Sequence, residues 1–117
     1  MLENELQLKK RRLLLALLNK LESELRRQEL WQANKPSESA LSSTAPFAVD
    51  TLTFTQWLQF IFLDRMRHLV QFTLPLPESI SVLPMAEEYF KNQSVNSAEI
   101  SEIIGRIDQL ISENSNE

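Results

Sequence analysis

Cysteine is absent from this chain of 117 residues, and glycine and histidine each occur once, as Gly105 and His68. Without cysteine there is no disulfide, thiolate metal site or cysteine nucleophile, and the chain suits a reducing compartment. A single glycine excludes the phosphate-binding and dinucleotide-binding loops, which need several. It also argues against strands joined by tight hairpins, whose turns use glycine at positive φ. One histidine leaves zinc short of the three or four nitrogen and sulfur ligands it usually takes. A serine–histidine–aspartate triad has no support, because His68 lies mid-helix among apolar residues. Long apolar runs are missing too. Lys9-Lys10-Arg11-Arg12 followed by Leu13–Leu18 imitates a secretory leader, but the run is six residues and Lys20 follows without a small-residue cleavage site. Nothing approaches the roughly 20 apolar residues that span a bilayer. The expectation is a cytoplasmic protein with no membrane contact.

What is present is helical grammar. The composition, 43% apolar and 24% charged, is globular, and the length suits one domain over 1–117 with a core at about 6–112. Leu6, Leu13, Leu14, Leu17, Leu18, Leu21 and Leu25 recur at helical spacing, predicting a first helix near 3–33 that Pro36 stops. Lys10 interrupts that stripe, so the first turns are expected to project beyond the core. Residues 35–45 read as a loop, whereas Phe47, Val49 and Leu52 are apolar enough to pack 46–52 on the body. Thr53 and Gln56 have capping-box spacing and open a helix over 53–72 that is apolar almost all round, the pattern of a central helix. Pro75 and Pro77 end it, and Pro84 suits the first turn of a short helix near 82–92. Asn96 and Glu99 give a second capping pair, before the clean stripe Ile100, Ile103, Ile104, Ile107, Leu110 and Ile111 of a last helix near 96–112. The predicted fold is all-α, a single-domain four-helix bundle with a packed 46–52 connection.

Charge is uneven. Residues 1–35 carry eight Lys/Arg against five Glu, and residues 36–117 carry four against eleven acids. Lys9, Lys20 and Arg27 share a line on the first helix, with Arg12 beside it. RNA phosphates can follow such a line, but interleaved glutamates and the absence of stacking aromatics between the bases argue against direct RNA binding. Leu8 and Leu15 fall off the apolar stripe and, with Lys9, Lys20 and Arg27, make a candidate partner surface. On the second long helix, Arg65 and His68 project at α-helical spacing from the same face as Trp57. A guanidinium there must be paired or reach the rim, and Asp50 and Glu87 are its candidate partners. These five residues form a candidate polar site, structural or partner-binding. Gly105-Arg106-Ile107-Asp108 resembles the G-R-L-D core of pseudouridine synthases, yet it lies inside an apolar helical stripe with no glycine after it and no room for a substrate cleft. No catalytic, metal or cofactor-binding residue is assigned.

Several segments together resemble the YqcC-like family of small bacterial helical proteins. They are Trp31; Pro46-Phe47 with Asp50-Thr51; Trp57-Leu58-Gln59; Arg65-Met66 with Leu69; and Leu76-Pro77, Val82, Pro84 and Glu87, spread over about 13–111. The resemblance implies a small helical bundle associated with, and sometimes labelled as, a tRNA pseudouridine synthase of the C type, an enzyme that needs a far larger catalytic domain. The functional expectation is therefore a non-enzymatic accessory or interaction protein acting with that synthase in tRNA modification. The alternative is an independent structural or ligand-binding bundle, including a homodimer. No cofactor is implied.

Overall fold

A computed structural model describes residues 2–113, all helix and connection with no strand among the described residues. Helix α1 runs Leu2–Arg27, α2 Glu38–Leu41, α3 Phe54–Trp57, α4 Leu63–Gln71, α5 Leu83–Phe90 and α6 Ala98–Ser112. A 3-10 turn covers Pro46–Ala48, and a π-helical turn, Leu58–Phe62, joins α3 to α4 into one rod over 54–71. No described helix is long and apolar enough to cross a membrane.

The core is a seam of leucine against isoleucine. Leu14, Leu18, Leu21 and Leu25 of α1 are buried, as are Ile100, Ile103, Ile104, Ile107 and Ile111 of α6. Fully burying each such side chain is worth about 1.5–3 kcal/mol. Phe54, Leu58, Phe62, Leu63 and Met66 of the rod close a second side, and Ala86 and Phe90 of α5 a third. Leu6 and Leu13, expected in the stripe, are instead 45% and 47% exposed. The first turns of α1 do project beyond the core: the molecule is 45 Å long and its radius of gyration is 14.7 Å, against about 13.4 Å for a compact chain of this length.

Helix ends are settled by tertiary contacts more than by local caps. The Thr53–Gln56 capping box forms as the spacing predicts. The Asn96–Glu99 pair does not, because Ser97 takes the N-cap position without a side-chain bond. Asn96 only reaches the Ala98 N–H, at 3.4 Å. Helix α5 has no local side-chain cap, and Asp108 on α6 supplies one, accepting from the Val82 and Leu83 N–H groups at 2.8–2.9 Å. At the other end, Lys10 donates to the Ile111 and Glu113 carbonyls and Arg11 to those of Leu69 and Leu74. Two cations of the basic run thus close the C-terminal ends of α6 and α4, where the helix dipole favours positive charge.

Helix α1 stops at Arg27, well before Trp31. The Leu30 N–H bonds to the Leu25 carbonyl, and that of Glu29 to Arg26. Glu29 takes the left-handed φ of 62°, which makes this a Schellman end without glycine. Trp31 then folds back under Arg26, whose guanidinium carbon lies 4.7 Å from the ring centre. The buried Gln59 side chain exchanges two hydrogen bonds with the backbone of Gln32, at 2.9 and 2.8 Å, and fixes this return. Within 46–52, Ala48 and Leu52 are buried and Phe47 packs on the core. Val49, expected inside, is 61% exposed.

Candidate functional site

The π turn decides where the candidate residues point. Phe54, Leu58, Phe62 and Met66 are all buried, a strict spacing of four. In an unbroken α-helix, twelve residues drift by about 120°, which would carry Met66 off the core. The Leu63 N–H instead reaches five residues back to the Leu58 carbonyl. One extra residue in that turn absorbs about 100° of the drift. Met66 thereby swings inward and Arg65 and His68 swing out. Both are exposed, and among the described residues Arg65 makes no ion pair.

The expected pairing of Arg65 with Asp50 or Glu87 is therefore not observed. Asp50 is exposed and accepts from the Ser43 hydroxyl, and Glu87 is exposed on α5. His68 stacks on Phe72 with ring centres 4.7 Å apart. The rod is also less central than its composition suggests, since Asp64, Arg65, His68, Gln71 and Phe72 face solvent.

Arg65 and Trp57 are brought together at an apolar slot of about 270 Å³. One wall is aromatic: Trp57 lies 4.7 Å from Phe47 and 5.4 Å from Phe62, centre to centre. The buried Met66 and Val82 and the half-buried Ile61 and Ile80 also line it, and Arg65 is the one charged residue among its lining. The Phe47 wall rests on an unusual backbone. Phe47 and Ala48 are consecutive left-handed residues, with φ of 57° and 48°. Each such non-glycine residue costs about 1–3 kcal/mol and persists where its surroundings hold it in place. Phe47, with its ring against Trp57 and 6.5 Å from Phe54, and Ala48, buried at 3% exposure, are held in that way.

The larger hollows are of a different kind. One of about 550 Å³ between α1 and α6 is lined by Lys20, Glu24, Arg27, Glu99, Glu102 and Arg106, so acids interrupt the basic line of α1. Glu24 holds Arg27 and also accepts from Gln28. The hydrogen bond from Arg27 keeps the Glu24 carboxyl below the usual carboxylate range against the opposing effect of burial. Leu8 and Leu15 are exposed, but they sit about 110° around α1 from Lys9, Lys20 and Arg27. The five residues expected on one surface thus occupy two sides of the helix. Leu15 lies on the side that faces α4, where Arg67 spans to Glu22 at 2.7 Å and to Asn19 at 2.9 Å. Burial works to raise the Glu22 carboxyl, but the bonds and charges of Arg26 and Arg67 outweigh it and hold the group low.

The slot itself was not foreseen from the sequence, although its signal was there. Phe47, Trp57, Arg65, Met66 and Val82 all belong to the segments that carry the family resemblance. Their convergence depends on the π turn and the left-handed pair, which no periodicity announces. Asp108, the aspartate of the synthase-like tetrapeptide, has both carboxylate oxygens engaged by backbone N–H groups of α5.

Fold and site together define a small all-helical protein with one aromatic-walled slot. The chain belongs to the YqcC-like family: the family model described as "tRNA pseudouridine synthase C" matches residues 13–110. The protein YqcC of Escherichia coli (strain K12), described as uncharacterized, is 30% identical over 98 residues, 84% of this chain and 90% of that one. Its solution NMR structure superposes with a TM-score of 0.79 at 27% identity, covering 91% of each chain. An uncharacterized protein of Haemophilus influenzae is 35% identical over 74 residues, 63% of this chain and 70% of its own length. A protein of Pectobacterium carotovorum named tRNA pseudouridine synthase C is 44% identical over 59 residues, half of this chain but only 16% of that protein.

Proposed function

We propose that this chain is a non-catalytic interaction module that works with a tRNA pseudouridine synthase in tRNA modification. The observation that carries the reading is the Pectobacterium relative. A stretch similar to this chain makes up 16% of a protein that bears the synthase name, which leaves most of that polypeptide for a catalytic domain. The Escherichia coli relative is close to the length of this chain alone. A module found both inside a longer chain named as a synthase and in a short separate chain is suited to acting on the synthase in trans. The engagement of Asp108 as a helix cap supports the non-catalytic half of the reading. On this reading the chain is one four-helix domain of the cytoplasm, and its exposed leucines and slot are the surfaces available to a protein partner.

A second reading, an independent bundle that pairs with its own copy, is favoured by the separation of charge between a basic first third and an acidic remainder. The test that separates them is a map of tRNA pseudouridines in cells lacking the gene, with rescue by the wild type. The first reading expects the synthase's sites to lose modification in the deletion strain, and the purified chain alone to modify no tRNA transcript. A normal map overturns the accessory role, and pseudouridine formed by the chain alone overturns the non-catalytic one.

A further inference from the structure

We propose that the Phe47–Trp57–Arg65 slot is the docking site for a peptide segment of a protein partner, one that buries an apolar side chain in the slot and sets a carboxylate against Arg65. The inference rests on the reading of the chain as an interaction module and names the surface and the chemistry of what it binds.

Four observations lead to a peptide. The volume of about 270 Å³ falls just below the roughly 300–1,000 Å³ of sites that enclose a whole small molecule or cofactor, and suits an anchoring side chain. The lining is almost wholly apolar, and aromatic anchors beside an arginine are the residue types that dominate protein interfaces. Arg65 is the one charge in the lining, and among the described residues no carboxylate answers it. Other guanidiniums, those of Arg26, Arg27, Arg67 and Arg106, each have a glutamate within 2.8 Å. A carboxylate from outside would give Arg65 what the chain supplies to those four, and its placement next to an apolar anchor sets the order of the two groups in the ligand. Finally, the wall is formed with nothing bound. Phe47 packs against Trp57 and Phe54, with ring centres 4.7 and 6.5 Å away, and a pre-formed wall lowers the ordering cost of association.

The test uses the purified full chain and a random peptide library displayed on phage, so it needs no synthase. The expected result is enrichment of sequences with Phe, Leu or Trp within three residues of Asp or Glu. Synthetic copies of the enriched peptide should perturb the Trp57 indole signal in a two-dimensional NMR spectrum. Arg65→Glu should weaken the peptide about tenfold or more, and replacement of its apolar anchor by alanine should do the same. Arg65 is exposed, so its variants keep the fold, and the denaturation midpoint verifies this. An enriched set without acidic residues, no enrichment at all, or affinity indifferent to Arg65→Glu overturns the proposal. So does a concentration-dependent dimer that Arg65→Glu abolishes, since the occupant would then be a second copy. The outcome is separable from the modification test. Peptide binding at Arg65 with a normal pseudouridine map leaves the slot standing and removes the synthase. A defective map fully rescued by Arg65→Glu leaves the synthase and removes the slot.

Discussion

The seam between α1 and α6 and the quarter of the molecule around Phe47, Trp57 and Arg65 bury apolar side chains by opposite means. In the seam, two uninterrupted α-helices present leucines and isoleucines at regular spacing, and every backbone outlier lies outside them. Around the slot, the rod contains a π turn and its covering loop contains two left-handed residues in succession. Regular spacing gives a closed apolar seam, and the hollow along its rim is lined by charges of both signs. The irregular quarter leaves a concave apolar surface with one uncompensated charge. On the reading proposed above, the first region supplies stability and the second recognition.

The seam should therefore respond most to truncation. Ile107→Ala removes a fully buried side chain and is expected to cost about 2–5 kcal/mol in urea denaturation, with the slot's peptide affinity unchanged wherever the variant is folded. Asp108→Ala comes next, at about 1–2 kcal/mol, because it strips the start of α5 of its acceptor. Asp108→Asn, which keeps an acceptor oxygen, should recover part of the loss. If both variants match the wild type, the carboxylate is not the cap of α5 and a role in chemistry must be reconsidered.

A pH dependence follows from Glu22 at the α1–α4 contact. Its folded carboxyl lies below its usual range, so its contribution is complete above the unfolded value of about 4.3 and is lost as pH falls from there through the lower folded value. The wild-type urea midpoint should drop more steeply than that of Glu22→Gln between about pH 5 and pH 3. Parallel curves would mean that Arg26 and Arg67 do not hold the carboxyl in solution. A smaller effect, of opposite sign, belongs to the end of α4. Thr73 has a φ of 53°, which a β-branched residue tolerates poorly. Thr73→Gly is expected to stabilise the fold by about 0.5–1 kcal/mol, and any loss of stability would show that the threonine is not held there.

The same contrast explains what could be read in advance. The isoleucine stripe of α6 and the Thr53–Gln56 capping box follow from spacing alone, and both formed. The place where α1 stops did not follow, because Glu29 adopts the left-handed turn usually given to glycine and Trp31 is captured by Arg26. Leu6 and Leu13 obey the period but stay nearly half exposed, Leu13 at the edge of an open hollow beside Gln109 and Leu110, which spacing along one helix does not reveal. Arg65 and His68 were assigned to the inner face on a uniform 100° step. A single π turn shifts everything after it by one residue, and with that shift the expected ion pair gave way to an exposed cation at the rim of a slot.

That exposed cation is also where the division between the two regions is most directly tested. The urea midpoint of Arg65→Met should correspond to a stability within about 0.5 kcal/mol of the wild type, as for a surface side chain with no partner to lose. A loss of about 3–5 kcal/mol, the usual cost of breaking a buried ion pair, would contradict the account, returning Arg65 to the core and the slot to ordinary packing.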